Sequence, residues 1–153
     1  MDIFSHGLWS VAASRITEEK LKRKLHLGKA FFWGVFPDLF AFTIPFAAIL
    51  WNALMGGPDI AAFNKPDVQE PPAELQTGLL AFAHHLYNFS HSFVIVGIAF
   101  AVLYAWKRRW LRWEMLGWPL HILMDIPTHS YRFFPTPFLW PLSEFKVNGF
   151  QWG

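Results

Sequence analysis

Phe93–Trp106 reads FVIVGIAFAVLYAW, an unbroken apolar run that stops at Lys107-Arg108-Arg109. Extended back through HHLYNFSHS, it reaches the roughly 20 residues needed to cross a bilayer as a helix. A second apolar stretch, Phe31–Met55, is interrupted by Pro37-Asp38 and Pro45 and ended by Gly56-Gly57-Pro58. Membrane helices tolerate such prolines where neighbouring groups satisfy the freed carbonyls. Asp2–Ser14 and Trp113–Ile126 are shorter apolar segments. Together these predict an all-α, membrane-embedded bundle of about four helices, forming a single domain over residues 1–153. Composition agrees: 54% of the chain is apolar, 19% aromatic and only 16% charged, against about 25% charged in soluble domains. Disorder is excluded, because it requires low hydrophobicity and high net charge. The absence of cysteine excludes a disulfide scaffold and a thiolate metal site. No basic stretch precedes the first apolar segment and no small-residue cleavage site follows it, so a signal peptide is not expected.

Charge is segregated along the chain. Arg15, Lys20, Lys22, Arg23, Lys24 and Lys29 make residues 15–29 basic, and Lys107, Arg108, Arg109 and Arg112 do the same for 107–112. The stretch 56–76 is acidic and proline-rich. Helices of alternating direction put both basic loops on one side and 56–76 on the other, and the positive-inside rule makes the basic side cytoplasmic. No nucleic-acid recognition motif accompanies the basic residues. The tail, RFFPTPFLWPLSEFKVNGFQWG, is too rich in proline to be helical throughout. It is expected to form an aromatic, proline-rich cap at the outer interface, over the mouth of the bundle.

Every Lys, Arg and Glu falls in a connecting segment or in the tail. Of the acids in or beside apolar segments only Asp2, Asp38 and Asp125 remain. At about 1.5 Å per helical residue, His6, Asp38, His91, His121, Asp125 and His129 fall about 12–24 Å from the cytoplasmic ends, in one slab near mid-membrane. His121 and Asp125 are four residues apart and share a helix face. So do Asp2 and His6, and His84, Asn88 and His91 form another stripe. An intramembrane carboxylate costs about 2.5–3.5 kcal/mol even on insertion scales. It must be protonated or meet a cation, and no Lys or Arg lies in these segments. The neighbours on offer are histidines, and imidazole with carboxylate is a zinc ligand set. The plain alternatives are that His26 and His85 only hydrogen-bond, that Asp2 caps a helix, and that Asp38 caps a helix restarting at a kink.

MDIFSH, GVFPD, NFSHS and HILMDIPTHS, in this order, resemble the small bacterial membrane-bound metal-dependent hydrolases first described as a domain of unknown function (DUF457). FFPTPFLWPLS resembles a subgroup of them, and the likeness runs from Asp2 to about Ser143. Many members carry an HRG triplet where this chain has Leu86-Tyr87-Asn88, so the resemblance assigns no role to His84 or His85. The motif order is also similar, more distantly, to the all-α zinc-dependent phospholipases C and related single-strand nucleases. That likeness implies one metal on Asp38, His91, His121 and Asp125, with Asp125 bridging to a second that His6 also holds, and His129 completing the cluster. Asp2 would stand where those enzymes use their N-terminal amine. Their third metal is not expected, since no HxxxE follows.

The function so implied is a metal-dependent hydrolase of the bacterial inner membrane with one or two divalent ions, zinc by ligand type. A water of pKa near 7 would be the nucleophile, with Asp38 and Asp125 as catalytic residues and Asn88 or Ser92 orienting a substrate oxygen. Its partners would be membrane lipid and a lipid-like or phosphoester substrate, with no nucleic acid. The rival readings are a non-catalytic membrane protein whose metal or His/Asp network holds helices together or docks a partner, and a transporter with midplane acids.

Overall fold

A computed structural model describes residues 2–55, 78–108, 112–131 and 134–150. Among these the protein is all-helical: α1 (Ile3–Leu21), α2 (Leu27–Leu54), α3 (Leu79–Ser90), α4 (Phe93–Lys107), a 3-10 turn (Trp113–Leu116) and α5 (Gly117–Thr128). The acidic stretch 56–76 and residues 109–111 of the second basic loop lie outside the described residues.

Asp2 starts α1. Its carboxylate accepts from the Ser5 N–H at 3.0 Å and the Ser5 hydroxyl at 2.6 Å, satisfying donors that a helix start leaves open. The helix runs on through Arg15–Leu21, which the charge pattern had marked as loop, and ends at Lys22 in the left-handed region. Its buried residues are His6, Gly7, Ser10 and Ser14, whereas Phe4, Leu8, Trp9 and Ile16 are exposed. Small and polar residues inside with large apolar ones outside reverse the amphipathic pattern of a helix in water. Small residues let helix backbones approach closely, as in membrane bundles. Gly34 of α2 occupies that face: a Cβ there would lie 2.7 Å from His6 O. Gly117 of α5 meets the same place, since its Cβ would lie 2.9 Å from Gly34 N. Three helices therefore converge on Gly34.

α2 is the central element and packs against α1, α3 and α5. It stays helical through Pro37 and Pro45, so Asp38 caps no restarted helix. Within it, Leu27–Ala48 is long and apolar enough to cross a membrane.

The expected single span through HHLYNFSHS into Phe93–Trp106 is instead two helices, α3 and α4, bent by 58° at His91-Ser92. Ser92 caps α4, accepting from Val94 N at 3.1 Å and Ile95 N at 3.4 Å, so its hydroxyl is engaged at the helix start. The C-terminal segment completes the break: Ser92 Oγ donates to Trp140 O, and Phe93 N donates to Phe138 O at 2.9 Å. Val96, Trp118 and Ile122 form the apolar core beside this break, joined by Trp33, Phe36, Phe93 and Phe138.

Candidate metal centre

Three helices and the break between two more supply the site. Asp38 comes from mid-α2, His91 from the α3–α4 break, His121 and Asp125 from one face of α5, and His6 from α1. His91 Nε2 and His121 Nε2 lie 3.1 Å apart. Asp125 Oδ2 is 3.4 Å from the first and 3.0 Å from the second. Asp38 Oδ1 is 3.5 and 3.6 Å from the same two nitrogens. All four donor atoms fall within 4.8 Å of one another, and the group can hold a metal ion. Donors about 2.0–2.2 Å from a central zinc form a tetrahedron with edges of about 3.3–3.6 Å. Five of the six edges here measure 3.0–3.6 Å.

The opposite ring nitrogens decide which atoms face that centre. His121 Nδ1 donates to Gly34 O at 2.6 Å. His91 Nδ1 is 3.2 Å from Tyr87 O and 2.9 Å from Ser90 Oγ. A carbonyl oxygen only accepts, so His121 Nδ1 carries the hydrogen, and His91 Nδ1 carries it in the tautomer that donates to Tyr87 O. In the neutral rings both Nε2 atoms then present lone pairs. Two imidazole lone pairs and two carboxylates thus point at one space with no donor among them. A divalent cation satisfies all four and cancels the two carboxylate charges, which a buried site requires. Metal-bound histidines ordinarily make such a second hydrogen bond to a carbonyl.

The sequence had singled out six residues for the metal, and all six meet here, though not in one shell. His91, His121 and Asp125 are fully buried, and Asp38 is the one accessible corner, its side chain 14% exposed. His6 and His129 approach the other oxygen of Asp125: His6 Nε2 lies 3.0 Å and His129 Nδ1 3.2 Å from Oδ1. The two oxygens of Asp125 thereby serve opposite sides. The His6 ring also lies against His121, with centroids 3.8 Å apart.

His129 can turn toward Asp125 because α5 ends there, with His129 itself extended at φ −109° and ψ 142°. The C-terminal segment takes over the free carbonyls of that helix end. Gly149 N donates to His129 O and Phe150 N to Pro127 O, each at 2.8 Å. Only glycine fits at 149, since a Cβ would lie 2.6 Å from His129 O.

Other candidates do not join the cluster. Asp2 is an exposed helix cap, His85 and His26 are exposed, and His84 packs on the Phe134 ring with centroids 5.8 Å apart. Asn88 Oδ1 is buried one turn from His91, with no hydrogen-bond partner among the described residues. Sequence reasoning missed Gly34, Tyr87 and Ser90, which contribute to the site through backbone carbonyls or a neighbouring hydroxyl. Tyr87 also stacks on His91, with centroids 3.8 Å apart, while its hydroxyl donates to Phe134 O at 3.0 Å. Its place one helical turn before His91 is the only sequence signal that marks it. No protein-family model, no curated protein and no solved structure matches the chain, so the site stands on its own geometry.

Proposed function

We propose that the protein is a metal-dependent hydrolase embedded in the bacterial inner membrane, holding zinc and acting on a phosphoester or lipid-like substrate. The observation that carries this reading is the donor tetrahedron of Asp38, His91, His121 and Asp125, built from three buried corners and one accessible one. A divalent ion supplies Lewis acidity and a water of lowered pKa at such a site. With an ion held there, Asp38, as the accessible corner, would be placed to accept a proton from a water on that side. Asp125 keeps its Oδ2 toward His91 and His121. Its Oδ1, with His6 and His129, offers the place for a second ion.

Several features support the membrane placement. Phe4, Leu8 and Trp9 of α1, Phe46 and Leu50 of α2 and Ile98 and Val102 of α4 are all exposed, while His6, Ser10, His91, His121 and Asp125 are buried alongside the apolar core. Leu27–Ala48 is long and apolar enough to span, the bent α3–α4 pair is so when the two helices are taken together, and the irregular backbone at His91-Ser92 is bonded to the C-terminal segment, as membrane depth would require. The basic turn after α1 then faces the cytoplasm, and the C-terminal segment lies toward the outer side.

A second reading has its own support. Four protein donors close a tetrahedron, the usual form of a structural zinc. The two readings separate on Asp38→Asn, assayed as phosphate released from phospholipid in mixed micelles with added Zn²⁺. Partial metal retention with turnover reduced about 10²–10⁴-fold is the result expected of a ligand that is also a general base. Absence of release by wild type across phosphoester lipids would leave the structural metal as the better account.

A further inference from the structure

The end of the bundle where α1 turns into α2 carries a layered surface that the metal site does not use. Lys20, Lys22, Arg23, Lys24 and Lys29 are all exposed around this turn. Arg112, also exposed, belongs to the same end, because His26 N donates to Glu114 Oε1 at 2.9 Å and so ties the 3-10 turn to the start of α2. Of the three acids here, Glu19 is exposed beside Lys20, one negative charge among these six exposed cations, and the other two bond to the turn. Glu18 accepts from Leu25 N at 2.7 Å and from Arg15 at 3.3 Å, and Glu114 is buried against the His26 N–H. Two carboxylates thus hold the turn together through backbone N–H groups while the cations point to solvent.

Apolar and aromatic groups sit at the same end, next to the cations. Leu21, Tyr104, Trp106 and Trp113 are exposed there, and the Arg108 guanidinium lies 5.2 Å from the Tyr104 ring centroid. Cations beside exposed Trp and Tyr match the two layers of a phospholipid, phosphate outside and acyl chain within. A nucleic acid or an acidic protein would answer the cations and leave the aromatic belt uncovered. We propose that this end of the bundle is a binding surface for anionic phospholipid, with the phosphodiester on the Lys20–Lys29 turn and Arg112 and the acyl chains against Trp106 and Trp113. The proposal rests on the membrane placement above.

The test uses the full chain, delipidated in neutral detergent and then offered phosphatidylglycerol or phosphatidylcholine of identical acyl chains. Bound lipid is counted by native mass spectrometry. The variant Lys22→Gln/Arg23→Gln/Lys24→Gln changes only exposed turn residues, and unchanged metal content confirms its fold. Wild type should retain phosphatidylglycerol on the order of tenfold better than phosphatidylcholine. The preference should collapse in the variant, and in about 0.5 M salt, where screening acts over about 4 Å. Equal retention of the two lipids, or a preference unchanged in the variant, overturns the proposal while leaving the membrane placement intact. So would an oligonucleotide that displaces phosphatidylglycerol from wild type. A chain that stays in the aqueous phase without detergent, and sediments with neither kind of vesicle, overturns the membrane placement itself.

Discussion

Gly34→Ala is expected to weaken metal binding more than it weakens the fold. The added Cβ would stand 2.7 Å from His6 O, and ordinary contact begins at 3.4 Å, so α1 must retreat by about 0.7 Å. The Ser10 hydroxyl, at 2.3 Å, can turn away, but His6 O and Ser10 Cβ, both at 2.7 Å, are fixed to the helix, so no rotamer change relieves them. Overpacking of this kind costs about 1–3 kcal/mol, while replacing a mid-helix glycine by alanine returns up to about 1 kcal/mol. Net destabilisation is therefore about 0–2 kcal/mol. The site has less tolerance. His6 rides on α1 and meets Asp125 at 3.0 Å, and Gly34 O itself holds His121. Metal donors tolerate shifts of about 0.2 Å, and disturbing groups behind the ligands typically costs 10–100-fold in affinity. Competition titration with a chromophoric zinc chelator measures the affinity, and thermal unfolding of the metal-free protein measures the fold. Gly97→Ala is the control: it lies mid-α4 with nothing within 4 Å of the new Cβ. It should stabilise by about 0.5–1 kcal/mol and leave zinc affinity alone. Wild-type affinity in Gly34→Ala would refute the claim that this close helix approach sets the site.

Gly149→Ala should detach the C-terminal segment from the end of α5, releasing His129 O and Pro127 O; faster amide exchange at Gly149 and Phe150 would report it. Glu114 gives a pH signature. Burial opposes its charge, but the N–H of His26 and its own N–H outweigh this and hold its carboxyl below the usual range. Its folded value is depressed, so its stabilisation is present above the unfolded carboxylate pKa and fades as pH falls through the folded value. Glu114→Gln should flatten that acid limb of a melting-temperature profile, and an unchanged limb would assign it to other carboxylates. Single cysteines at Lys22, Gln69 and Arg109, probed in whole cells with an impermeant thiol reagent, should label at 69 alone. Labelling at 22 but not 69 would reverse the topology.

The four donors were legible because apolar segments leave so few ionisable groups, and because His121 and Asp125 stand at helical spacing. The break between α3 and α4 was not. No proline or glycine marks His91-Ser92, and the bend is completed by bonds to Phe138 O and Trp140 O, far along the chain. Charge misled at the end of α1, where Glu18, Glu19 and Lys20 are good helix formers and continue the helix to Leu21. Gly34 was silent in sequence because its contribution is a backbone carbonyl and the absence of a side chain. Asp2 looked like a site residue by its spacing from His6, yet it faces Ser5 at the helix start.

Metal content and coordination of the purified wild-type chain test the central claim most directly. Elemental analysis after dialysis should find at least one zinc per chain. X-ray absorption should show only nitrogen and oxygen donors, at about 2.0–2.2 Å. His121→Ala should lose that metal while keeping its helical circular dichroism. Wild type that binds no divalent metal from zinc-replete buffer, or that binds it equally well as His121→Ala, would contradict the assignment.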